Sequence, residues 1–71
     1  MKIESCVIAW LEQIKQILAD YPDDLKSIEK LCKNKEYIVA FVRVTDLISK
    51  QNIPVSDEFK KVDENLYWLL R

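Results

Sequence analysis

Apolar residues recur at helical spacing along four stretches of the chain. In the first stretch they share one side of a helical wheel: Ile3, Val7, Trp10, Leu11, Ile14, Ile17, Leu18 and Tyr21. An apolar arc of this width, about 140°, is typical of an amphipathic helix that covers a core with one face. The pattern predicts a first helix over residues 3–20.

Pro22 separates the first stretch from the second. Proline disfavours helical backbone at the residue before it, yet it is well tolerated at the first position of a helix. We therefore predict a second helix over residues 22–34. Asn34 is expected to end this helix in the left-handed conformation. The residues of its inner face are Leu25, Ile28, Leu31 and Cys32.

The third stretch is ambiguous, because residues 37–45 are rich in the β-branched side chains that favour strands. No hairpin turn flanks them, however, and the larger apolar residues return every three or four positions, which favours a helix over residues 36–51. A strand is the alternative. The apolar arc of this helix is about 220° wide, so we expect the helix to be central and in contact with other helices on two sides.

Ser56 is well suited to begin a last helix, since its hydroxyl can accept a hydrogen bond from the first turn. The apolar stripe that follows predicts a helix over residues 56–70. Together the four stretches predict an all-α protein: a small four-helix array in a single domain over residues 1–71. The array is closed by one chain or completed by homodimerisation.

The composition excludes several classes of enzyme, because the 71 residues include no glycine and no histidine. Phosphate-binding loops, dinucleotide fingerprints and nucleophile elbows need glycine, and Ser-His-Asp catalysis and histidine-ligated zinc need histidine. The carboxylate pairs Asp23–Asp24, Asp57–Glu58 and Asp63–Glu64 are expected to cap helices and meet solvent. We expect no enzyme, no catalytic residue, no cofactor and no metal site.

Charge and hydropathy bear on location. The net charge is -1, so no global field attracts the chain to nucleic acid or to anionic lipid. No run approaches the roughly 20 apolar residues of a membrane span. We expect a cytoplasmic protein in which Cys6 and Cys32 are reduced, buried side chains.

Apolar residues also fall on faces that should meet water. Trp68 lies on the side of the last helix opposite Phe59, and Ile8 and Val39 lie among charged residues. Tryptophan is enriched where proteins bind one another, so this placement favours an interface. The alternative is that the helix frays near Leu66 and Trp68 folds back onto its own core.

The hypothesis that follows is a non-enzymatic interaction module, a small regulator, adaptor or inhibitor that works by occlusion or scaffolding. Its partner is another protein, either a second copy or a larger macromolecular target. The expected apolar contact residues are Trp68, Tyr67, Ile8 and Val39, and the expected polar rim is Arg43, Asp46 and Lys50.

A nucleic-acid-binding transcriptional regulator is the alternative hypothesis. Basic residues at turn spacing can follow phosphates, and the second helix carries such a face. Asp23 and Asp24 border it and no arginine joins it, so this alternative is less favoured. The lysines concerned are Lys26, Lys30, Lys33 and Lys35.

Overall fold

The computed structural model describes residues 3–71 and contains four α-helices. This confirms the predicted all-α four-helix array, and within the described residues no strand occurs, so the ambiguous third stretch is helical. The helices are α1 (Ile3–Ile17), α2 (Pro22–Lys33), α3 (Tyr37–Gln51) and α4 (Asp57–Leu70).

The first helix ends three residues earlier than predicted, at Ile17. The Leu18 N–H still donates to the Ile14 carbonyl at 2.8 Å, but the Tyr21 N–H turns back to the Leu18 carbonyl at 2.9 Å. Pro22 is the physical reason, because it disfavours helical backbone at Tyr21. Residues 18–20 form the turn that leads into this position. The prediction of a helix to residue 20 is therefore wrong.

The second helix ends at Lys33, and the left-handed residue after it is Lys35 (φ 62°) rather than Asn34 (φ -86°). Two hydrogen bonds close the end: Lys35 N–H donates to the Cys32 carbonyl and Glu36 N–H to the Leu31 carbonyl. This is the Schellman arrangement, in which the left-handed residue lies one position beyond the cap. Asn34 is the C-cap of α2, as predicted, but the left-handed conformation predicted for it is wrong.

The cap predicted for the last helix is confirmed. The Phe59 N–H donates to Ser56 Oγ at 3.1 Å, which satisfies a backbone donor that the first turn leaves free. The chain enters this cap from Asn52, which ends α3 in the left-handed conformation. Together these residues turn α4 back along the bundle.

The core lies mainly between α1 and α4, which pack most closely, and between α2 and α3. Its buried residues are Cys6, Val7, Trp10, Ile14, Leu18, Ile28, Cys32, Ala40, Val44, Phe59 and Leu66. Both cysteines are unbridged. Helix α3 is not central, because Ile38 and Val42 on its outer side are exposed. Helix α3 does pack against two neighbours, α2 and α4, as expected. Only the expectation that it is the central helix is wrong.

None of the helices described between residues 3 and 71 has the length and apolar character that crossing a bilayer requires.

Candidate protein interface

A patch of exposed apolar side chains runs from the outer side of α3 to the last turns of α4. We call it the α3–α4 apolar surface and define it by five residues: Ile38, Val39, Val42, Tyr67 and Trp68. All five are solvent-exposed, and the first three lie one helical turn or less from one another. Such a patch is larger than the single exposed apolar residues that any protein surface carries.

Contacts between α3 and α4 make this surface continuous. The Phe41 and Tyr67 ring centroids are 6.1 Å apart, and the Tyr67 and Trp68 centroids are 5.5 Å apart in an edge-to-face arrangement. Towards the chain end, Leu70 lines a groove together with Ile38 and Val39. Partly buried Phe41 and Leu70 therefore bridge the two exposed helix faces.

Trp68 does not fold back onto the core. Helix α4 continues to Leu70, and 61% of Trp68 is exposed. The alternative in which α4 frays near Leu66 is therefore wrong. The Arg71 guanidinium carbon lies 5.4 Å from the Trp68 ring centroid and 5.6 Å from that of Tyr67. These contacts restrict the two rings, although Trp68 stays largely exposed.

The predicted polar rim lies beside this surface. Arg43, Asp46 and Lys50 line an open groove along α3 together with Val39 and Val42. Lys50 Nζ lies 3.2 Å from Asp46 Oδ2, and both side chains are well exposed. An exposed pair of this kind contributes little to the stability of a fold.

Ile8 is the one predicted contact residue that the structure places elsewhere. It lines a separate groove between α1 and α2. Conversely, sequence reasoning missed Ile38 and Val42, because a helical wheel does not say which part of a wide arc is covered. The sequence feature that could have identified them is the width of the apolar arc of α3, which at about 220° exceeds what one packed face needs.

The lysine face of α2 is exposed, as its pattern predicts. Two of its members, Lys30 and Lys33, line the same groove as Ile8, but so do Glu4 and Glu29. Acidic side chains beside the lysines oppose the attraction of phosphates. This face is therefore mixed in charge rather than a continuous basic surface.

Beneath the apolar surface, an aromatic contact leads to the buried boundary between α1 and α4, which we call the α1–α4 seam. The fully buried Trp10 ring stacks near Phe41, with centroids 6.0 Å apart. Its Nε1–H donates to Asp63 Oδ1 at 2.9 Å and ties α1 to α4. Burial raises the pKa of the Asp63 carboxyl, and the hydrogen bond from Trp10 lowers it in part. Asp63 is therefore a half-buried structural residue, and its predicted solvation is wrong.

Among residues 3–71, no group of three or more histidine, cysteine, aspartate or glutamate side chains is arranged to hold a metal ion. Comparison with family models, with curated proteins and with solved structures finds no match to this chain.

Proposed function

We propose that this chain is a non-enzymatic protein-interaction module: a small cytoplasmic regulator, adaptor or inhibitor. The observation that supports the proposal is the α3–α4 apolar surface. Its members belong to well-formed helices, and Trp68 remains exposed although it lies on a helix whose other face is packed. Side chains held open in this way are suited to bind another protein.

The size of the surface supports the same proposal. Five large side chains that are each about half exposed present on the order of 500 Å² of apolar area, the size of patch that often marks a binding site. Aromatic residues dominate the binding energy of such patches. Trp68, backed by Tyr67 and Arg71, is the expected anchor, and Trp68→Ala is expected to weaken association by about 2 kcal/mol or more.

Such a module acts by occlusion or scaffolding. A rigid helical face that covers a partner's surface prevents other contacts there, and no chemical step on a bound molecule is required. The polar rim of Arg43, Asp46 and Lys50 would set orientation and selectivity, because charges at the edge of an interface act mainly on recognition and on association rate.

Site-specific photo-crosslinking in the source cell tests this function. A benzophenone amino acid replaces Val42 in one variant and Glu12, which is exposed on α1, in the control. We expect one discrete covalent adduct from position 42, lost when Trp68→Ala is added, and none from position 12. Equal adducts from both positions, or none from position 42, would contradict the proposal.

The nucleic-acid alternative is supported only by the exposure of the lysine face. It requires retardation of a duplex at low salt, a steep loss of binding as salt rises and further weakening by Lys30→Glu. A chain that retards no duplex at low salt removes this alternative.

A further inference from the structure

We infer that the partner of the α3–α4 apolar surface is a second copy of this chain. The two copies pair through the exposed sides of antiparallel α3 helices, about a two-fold axis that crosses α3 at the level of Ala40. The inference rests on the proposed function, since it names the occupant of the same surface. A two-fold interface must be complementary to itself, which is a demanding condition on sequence.

The charged residues on the outer side of α3, together with the two residues that precede this helix, meet this condition. Lys35 and Glu36 come just before α3, and Arg43 and Asp46 lie on it, so a positive residue and a negative residue stand on each side of the apolar positions. One turn further on, Lys50 pairs with Asp46 of its own helix at 3.2 Å. The four residues at positions 35, 36, 43 and 46 are the ones that face a second copy in this pairing. All four side chains are exposed. In an antiparallel pair centred on Ala40, each positive residue lies within one position of a negative residue of the other copy.

The apolar residues give the same register. When two α3 helices run antiparallel about Ala40, Ile38 of each copy lies opposite Val42 of the other. Lys35 then lies within one position of Asp46 of the other copy, and Glu36 lies within one position of Arg43 of the other copy. A parallel, in-register pairing would instead bring each charge against its own kind, which costs free energy. Charge and apolar pattern therefore agree on one orientation and one axis.

The aromatic side chains lie at the level of this axis. Tyr67 contacts Phe41, the residue next to Ala40, and Trp68 contacts Tyr67. In an antiparallel pair with this axis, the α4 helices of the two copies lie on the same side of the paired α3 helices. Tyr67 and Trp68 of one copy would therefore approach Tyr67 and Trp68 of the other, beside the contacts between Ile38 and Val42. The anchor residues would then sit at the centre of the interface rather than at its edge.

The area also fits. A specific dimer buries about 800 Å² on each partner, of which somewhat more than half is apolar. The α3–α4 apolar surface supplies on the order of 500 Å² of apolar area. The charged rim supplies the remainder. We therefore expect a dimer of modest affinity.

Sedimentation equilibrium of the full chain from about 1 to about 500 µM tests the inference. The native chain should change from monomer to dimer, and Val42→Asp should raise Kd by at least about 100-fold. Ile8→Asp is a matched control, because Ile8 (63% exposed) and Val42 (60% exposed) meet solvent equally but lie on different faces. Circular dichroism checks that both variants keep their helicity. A chain that stays monomeric throughout, or a dimer that Val42→Asp leaves intact, overturns the inference.

Charge reversal tests the antiparallel register. Arg43→Glu places a like charge within one position of Glu36 of the other copy and is expected to raise Kd about 10-fold, while the double variant Glu36→Arg/Arg43→Glu should return Kd to within about 3-fold of the native value. Lys15→Glu, an exposed reversal on α1, should change nothing. A double variant as weak as Arg43→Glu would overturn this register.

The two proposals fail in different ways. In one outcome, position 42 gives an adduct in the cell whose mass is not twice that of the chain, and the purified chain is monomeric. This outcome supports the interaction function and overturns self-pairing. The absence of any adduct at position 42 contradicts the interaction function itself. A purified dimer that Val42→Asp dissociates supports the inference directly.

Discussion

The two tryptophans of this chain occupy opposite environments. Trp10 lies in the α1–α4 seam with none of its surface exposed, its ring against Phe41 and its indole N–H on Asp63. Trp68 lies on α4 with most of its ring in solvent, and its neighbours are Tyr67 and Arg71. Both sit on regular helices, so helix formation alone does not explain the difference. What differs is whether another helix of the same chain covers them.

That difference separates side chains that stabilise the fold from side chains that are free to bind. A chain of this length has a free energy of unfolding of about 4–10 kcal/mol, so each buried contact in the seam matters. Exposed Trp68 and Val42 contribute little to that free energy. Their exposure on regular helices is the observation behind the proposed association. The following variants probe the distinction from the largest expected effect to the smallest.

The two tryptophans provide the largest contrast. Trp10→Ala removes a fully buried ring and leaves a cavity, which is expected to lower the free energy of unfolding by about 3–5 kcal/mol. Trp68→Ala removes an exposed ring and should cost less than about 1 kcal/mol. Urea unfolding at protein concentrations well below Kd measures both. Similar losses for the two variants would mean that Trp68 belongs to the core.

Two valines on α3 repeat the contrast on one helix. Val44 is fully buried and Val42 is exposed, although only one residue separates them. Val44→Thr places a hydroxyl in the core and is expected to cost about 1–3 kcal/mol, whereas Val42→Thr should cost less than about 0.5 kcal/mol. Thermal or urea unfolding of both variants at low protein concentration measures these losses in the free energy of unfolding. A large loss for Val42→Thr would show that the outer side of α3 is packed.

The hydrogen bond of the seam gives a smaller effect. Asp63→Ala leaves the Trp10 indole N–H without its acceptor and is expected to lower the free energy of unfolding by about 1–2 kcal/mol. Asp63→Asn keeps an acceptor oxygen and should cost less than Asp63→Ala. Equal losses in the two variants would contradict the assigned role of this hydrogen bond.

The smallest expected effect is a pH dependence that arises from the same carboxyl. Burial raises the pKa of Asp63 in the folded chain above its ordinary value of 3.8, so the folded state holds this proton more tightly than the unfolded state. The resulting stabilisation is complete below the ordinary pKa and is lost as pH rises through the folded pKa. The native chain should therefore lose stability relative to Asp63→Asn as pH rises above the ordinary pKa of 3.8. Urea unfolding of both chains at a series of pH values measures it, and a constant difference would contradict the raised pKa.

The sequence predicts what depends on neighbours along the chain. The helical periods, the turn before Pro22 and the Ser56 cap are local, and the structure confirms all three. Lys35 rather than Asn34 takes the left-handed position, because the end of α2 is closed by two backbone hydrogen bonds whose register the residue types alone do not determine.

What depends on contacts between distant helices could not be predicted. The exposure of Ile38 and Val42 follows from the place where α3 packs, and the half-burial of Asp63 follows from Trp10, which lies 53 residues away in the chain. Trp68 and Val39 were identifiable because they interrupt polar faces of their own helices. Ile38 and Val42 lie inside an apolar arc, where nothing local marks them as exposed.

The most direct test of the account measures the exposure of Trp68 as the chain associates. Trp10→Phe keeps a ring in the seam and leaves Trp68 as the sole tryptophan, so acrylamide quenching of its fluorescence reports on this one side chain. Trp68 fluorescence should be quenched efficiently in dilute solution and become protected as the concentration rises through the Kd measured by sedimentation. A Trp68 that is already protected in dilute solution, or that is quenched equally while the chain dimerises, would contradict the claim that the α3–α4 apolar surface is open in the monomer and covered in the complex.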